Sequence, residues 1–148
     1  MTNQPMPSCE FNSQELMLRL DVVVAADVDA ICPVVERVME IARDMKCTEG
    51  KEFEIEMALR EALANAIVHG ARHDASKHVQ LCVVCDNSRG MLIVVRDPGA
   101  GFDPASVPSP VVGQNVFSEH GRGIYLINQL MDEVRFERGG TEIRMKKF

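Results

Sequence analysis

The stretch from Lys51 to Arg72 limits the choice of fold more than any other part of the chain. It is rich in Ala, Leu, Glu and Met, all strong helix formers, and it follows the break Thr48-Glu49-Gly50. Its interior, Met57 to Gly70, is apolar almost all round, so a helix here must be largely buried against another layer. Yet Glu61, Asn65 and His69 recur at i, i+4 and i+8, which places them on one stripe. Burying an amide without a partner costs about 2–7 kcal/mol, so something polar has to meet that stripe. Taken alone, the stripe fits a solvated helix edge or a structural hydrogen-bond network as well as a functional site. His69, beside Gly70 at the expected helix end, also fits a role capping carbonyls.

The rest of the chain supplies the second layer. Glu15 to Val24 alternates as a strand, with Leu16, Leu18 and Leu20 on one face. Asp27 to Met45 has helical spacing, with Asp27 or Asp29 as the cap and Pro33 in the first turns. Strands are expected over Lys77–Cys85 and Met91–Arg96, joined by the turn residues Asp86 to Gly90. A helix from Gly121 to Met131 follows, then strands over Glu133–Glu137 and Thr141–Lys147 flanking the Gly139-Gly140 turn. The order β-α-α-β-β-loop-α-β-β implies an α+β fold. We expect a two-layer α/β sandwich with a mixed, mostly antiparallel sheet and helices on one face. Residues 1–12 read as a disordered tail and 13–148 as one domain.

Charge and apolar segments narrow the class of partner. A net charge of −6 argues against nucleic acid as a direct partner, because phosphate backbones call for a basic face. No segment is apolar and long enough to cross a membrane, and Met1 to Glu10 lacks the order of a signal peptide. The five cysteines, Cys9, Cys32, Cys47, Cys82 and Cys85, are odd in number and scattered, which suits a reducing cytoplasm better than a disulfide framework. Cys82 and Cys85 fall on opposite faces of an expected strand, so they read as small buried hydrophobes rather than half a zinc site.

Two further motifs carry glycines where chemistry would want them. Asp97-Pro98-Gly99-Ala100-Gly101-Phe102 follows an expected strand, and its carboxylate and two glycines permit a tight turn with close approach of a ligand. An ordinary Pro-Gly turn explains the same residues. Gly121-Arg122-Gly123 opens a helix whose free N–H groups and dipole suit phosphate, although plain loop-to-helix chemistry also accounts for it. Between the two motifs lies a long Pro- and Gly-containing stretch, and residues from about Ala105 to Glu119 are expected to act as a lid.

In this order and spacing the three motifs resemble the N, G1 and G2 boxes of the histidine-kinase-like (GHKL) ATPases, over about residues 15–148. The resemblance is nearest to the small bacterial anti-sigma-factor serine/threonine kinases. It rests on Glu61-Ala62-Leu63-Ala64-Asn65-Ala66-Ile67-Val68-His69-Gly70, on Gly121-Arg122-Gly123-Ile124-Tyr125-Leu126-Ile127, and on Met131-Asp132-Glu133-Val134 with Gly139-Gly140-Thr141-Glu142-Ile143. It implies the Bergerat ATP-binding fold, with ATP and Mg²⁺ as ligands. Asn65 would coordinate Mg²⁺, and Asp97 would accept from the adenine amino group. Gly99 and Gly101 would let the chain pass close to the base, with Phe102, His69 and Thr141 among the nucleotide contacts. Gly121, Arg122 and Gly123 would cover the phosphates, and Glu61 would be the general base.

The implied activity is transfer of the γ-phosphate to a Ser or Thr of a small antagonist protein. A sigma factor as second partner, a homodimer and a cytoplasmic setting go with it. No Lys or Arg stands between Arg96 and Arg122, so the loop itself brings no cation to the γ-phosphate. That suggests slow turnover for the protein alone, and it keeps open a second reading, a non-catalytic module in which ATP is only a conformational ligand.

Overall fold

Five strands pair into one sheet in the order β1-β2-β3-β5-β4. The computed structural model describes residues 16–72, 74–86, 90–99 and 119–148. The expected tail over residues 1–12 lies outside them. The strands are β1 (Leu16–Ala25), β2 (His78–Asp86), β3 (Gly90–Arg96), β4 (Glu133–Glu137) and β5 (Glu142–Lys147). All four pairings are antiparallel, so no parallel pair mixes the described sheet.

Three helices lie on one face: α1 (Ile31–Asp44), α2 (Glu52–Asn65) and α3 (Glu119–Leu130). Asp27 does the capping ahead of α1. Its Oδ1 accepts the Asp29 N–H at 2.9 Å and starts a 3-10 turn, Val28–Ala30, that runs into the helix. On α2 the buried residues are Ile55, Ala58, Leu59, Ala62 and Leu63, the i, i+3, i+4 stripe of a core-facing helix. They meet Val79, Leu81 and Val83 of β2, Met91, Ile93 and Val95 of β3, and Ile143 and Met145 of β5 in one core. The opposite sheet face holds a smaller buried cluster of Cys82, Val84, Leu92 and Val94.

Two connections fix how the helices sit. Lys147 Nζ donates to the Leu130 carbonyl at 2.7 Å, and the Phe148 N–H donates to Asp132 Oδ2 at 2.7 Å, tying the C-terminus of α3 to the end of β5. The α1–α2 corner is held by a disulfide between Cys47 and Cys85, 38 residues apart, with Cα atoms 6.2 Å apart. This corrects the expectation of unbridged cysteines. Spacing along the chain could not show it, because the pair meets only when the corner after α1 folds over β2. Among the described residues, no helix is long and apolar enough to cross a membrane.

Candidate functional site

The site forms where the end of α2 meets the last rung between β3 and β5. After Asn65 the helix widens into a π turn, Ala66–Gly70, in which the Ala71 N–H donates to the Ala66 carbonyl at 2.8 Å. The widening brings Gly70 against Asp97, the first residue past β3. A Cβ at Gly70 would lie 2.6 Å from Asp97 Oδ1, and one at Gly99 would overlap the Gly70 carbonyl. Only glycines allow this three-way contact.

Asp97 is held from both sides. Its N–H donates to the Thr141 carbonyl at 2.8 Å, and its Oδ1 accepts the Gly99 N–H at 2.7 Å. Burial pushes its carboxyl up to about 6, and the Gly99 hydrogen bond only partly offsets that. A carboxylate kept half-dry in this way is poised to accept a hydrogen bond from a ligand that restores the lost solvation.

The space before Asp97 is a cavity of about 240 Å³. Asp97, Asn65, Gly70 and Thr141 supply its polar groups, and Val95, Ile124, Phe136 and Ile143 its apolar walls. A mostly apolar cavity with one carboxylate suits a heteroaromatic base carrying an exocyclic amine. A second cavity of about 310 Å³ adjoins it, lined by Glu61, Ala64, Asn65, Val68, His69, Gly123 and Leu126. Asn65 and His69 border both. Here α3 packs onto α2 so closely that a Cβ at Gly123 would lie 3.0 Å from Glu61 Oε2 and 3.3–3.4 Å from the Asn65 amide. The polar stripe of α2 therefore meets the first turns of α3 and the cavities, not bulk solvent alone.

Of the residues expected from sequence, Glu61, Asn65, His69, Asp97, Gly99, Gly123 and Thr141 come together here. Gly121 and Arg122 sit in the first turns of α3, which begins at Glu119 rather than at Gly121. Gly101, Phe102 and the expected lid up to residue 118 lie outside the described residues; Glu119 itself is helical. Sequence reading missed Gly70 as a site residue, because a glycine after a long helix reads as an ordinary stop. It also missed the apolar walls, because apolar residues on strands and on α3 signal a core and say nothing of a cavity. Among the described residues no three His, Cys, Asp or Glu side chains cluster to hold a metal on their own.

Comparison with known proteins decides the family. The histidine kinase-like ATPase domain matches residues 24–147, from the last residues of β1 to the end of β5. The chain belongs to the histidine kinase-like ATPase family. Relatives within reach of this domain include the serine-protein kinase RsbW of Bacillus subtilis (strain 168). It is 31% identical over 117 residues, covering 73% of this chain and 71% of that protein. The anti-sigma F factor of Clostridium acetobutylicum is 29% identical over 115 residues, 74% of this chain and 79% of that one. A Bacillus licheniformis serine-protein kinase RsbW is 34% identical over 105 residues, 64% of this chain and 63% of its own length. In this histidine kinase-like ATPase domain, the two adjoining cavities are lined by Asn65, Asp97 and Gly123, one residue from each of the three motifs.

Proposed function

We propose that this protein is an anti-sigma-factor-type serine/threonine kinase. It binds ATP with Mg²⁺ and transfers the γ-phosphate to a Ser or Thr of a small antagonist protein. The observation that carries the reading is the junction of the two cavities at Asn65, with Asp97 in the apolar one and Glu61 in the other. The adenine amine donates to Asp97, with Thr141 beside it and Gly99 leaving room for the ring. Gly101 and Phe102 are nucleotide contacts by the resemblance alone, and His69, which lines both cavities, would border the sugar and phosphates.

The donor set suits Mg²⁺. Asn65 offers one hard amide oxygen at the junction, and Mg²⁺ takes few protein groups because phosphate oxygens and waters fill its other positions. Once bound it would neutralise phosphate charge. Gly121, Arg122 and Gly123 offer the N-terminal turns of α3 to the phosphates. Glu61, one turn before Asn65, takes the proton from the acceptor hydroxyl as its oxygen attacks the γ-phosphorus and ADP leaves. The names of the relatives, a serine-protein kinase and an anti-sigma F factor, support a protein serine as acceptor and a sigma factor as partner. A homodimer in the cytoplasm belongs to the same reading.

Single-turnover transfer of labelled γ-phosphate to the antagonist tests it. Glu61→Gln should bind Mg²⁺-ATP nearly as wild type but transfer about 10²–10⁴-fold more slowly, the usual contribution of a positioned base. Transfer at the wild-type rate would remove Glu61 from the mechanism. ATP binding with no phosphorylation of any antagonist would favour a non-catalytic module that holds a transcription regulator. The missing cations between Arg96 and Arg122 speak for that second reading.

A further inference from the structure

The last rung of the β3–β5 ladder carries polar groups on both faces of the sheet. Towards the helices, Asp97 and Thr141 line the base-sized cavity, joined by the Asp97 N–H to Thr141 carbonyl bond. One residue back on each strand, Arg96 and Glu142 stand directly opposite in register, and alternation turns them to the other face. Both are nearly closed to solvent, at 6% and 4% exposure. Arg96 donates from Nε and Nη2 to Glu142 Oε1 at 2.9 and 2.7 Å. Arg144 Nη1 donates to the other carboxylate oxygen at 3.2 Å.

A buried ion pair is a poor way to add stability, since desolvation consumes much of its Coulomb energy and an apolar pair of similar volume does as well. Its distinctive contribution is direction. Both Glu142 oxygens are engaged by guanidinium groups, so the carboxylate is held against rotation and the two strands against slippage. Strand ends otherwise fray at little cost, and Asp97 and Thr141 sit just beyond the ends of β3 and β5.

We infer that Arg96 and Glu142 are a positioning pair that fixes the Asp97–Thr141 rung, and thereby sets how sharply the cavity prefers adenine to guanine. The inference rests on the reading of Asp97 as the acceptor for the base. Neither residue of the pair touches the nucleotide; they act through the strand ends.

Removing one partner would strand a buried charge and risk unfolding, so the informative variant is the double Arg96→Met/Glu142→Leu, in which Arg144, its side chain 21% exposed, can turn to solvent. It should melt within a few degrees of wild type. In the nucleotide-free protein, exchange of the Asp97 amide should quicken on the order of tenfold or more as the rung opens more often. Affinity for ATP should fall on the order of tenfold and the preference for ATP over GTP by a similar factor, the scale of one misaligned hydrogen bond. Affinity for Mg²⁺-tripolyphosphate should stay unchanged, because the phosphate side is untouched. A folded double variant with wild-type Asp97 exchange and wild-type ATP preference would overturn the inference. Should wild type itself show no preference for ATP, the base reading of Asp97 is what fails. Asp97 exchange then decides on its own, unchanged protection refuting the pair as a clamp.

Discussion

At the scale of single residues, the chemistry concentrates on Asp97. Its folded carboxyl is raised from 3.8 to about 6. Between those values the native state keeps a proton that the unfolded chain has lost. Stability therefore falls as pH rises from about 4 to about 6 and is level above that. Asp97→Asn removes the penalty, so at pH 7 the variant should melt higher, by about 2–4 °C once partial exposure is allowed for. The same variant should bind ATP more weakly by about 1.5–3 kcal/mol in calorimetric titration, a charged hydrogen bond lost. Wild-type affinity should also drop as pH falls below about 6, because a protonated carboxyl is a poorer acceptor, and the Asn variant should show no such step. A variant that melts no higher and binds ATP normally would refute the assignment. Gly70→Ala tests the neighbouring contact. Its methyl would sit against Asp97 Oδ1, and nucleotide affinity should fall without loss of helix content by circular dichroism.

At the scale of elements, two helices divide the work. The last turn of α2 presents Glu61 and Asn65, and α3 closes over them only because residue 123 has no side chain. Gly123→Ala would push the Glu61 and Asn65 ends aside by a few tenths of an ångström or move α3. Phosphate transfer should fall on the order of tenfold or more while ATP affinity changes much less, since small misplacements cost rate more than binding. Asn65→Ala should instead weaken Mg²⁺-ATP binding and abolish transfer together. Paired calorimetry and single-turnover assays separate the two patterns, and identical losses in both variants would contradict this division of roles. The π turn after Asn65 is the element that sequence periodicity could not supply. An apolar helical pattern runs unbroken through Ile67 and Val68, and only packing of Gly70 on Asp97 shows why the α-helix widens there.

At the scale of the whole molecule, a disulfide between described residues joins the corner after α1 to the sheet. The Cys47–Cys85 disulfide closes a loop of 38 residues, which in the chain-entropy model is worth about 4 kcal/mol and in practice about 2–4. Urea unfolding of the oxidised protein against Cys47→Ala should show a loss of that size, and reductant should lower the oxidised protein at least as far, since Cys82 is disulfide-bonded as well. A variant as stable as the oxidised wild type would mean that the bridge contributes nothing.

The sequence by itself determined the elements, their order and most of the polar site. The apolar runs in Lys77–Cys85 and Met91–Arg96 and the helical stripe around Leu59 are local properties of the chain, so they are legible without coordinates. Glu61 and Asn65 stood out as polar side chains in apolar surroundings and Asp97 as a carboxylate at a strand end beside glycines, whereas Thr141 came only with the family resemblance. Only the tertiary structure decided which strands neighbour each other, that every described pairing is antiparallel, and that Cys47 meets Cys85. It alone placed the walls Phe136 and Ile124 around Asp97 and set Arg96 against Glu142 behind it. The physical reason is range. Periodicity and propensity act over a few residues, whereas a cavity, a disulfide or a cross-strand ion pair depends on contacts between segments whose approach is set by burial of the whole core.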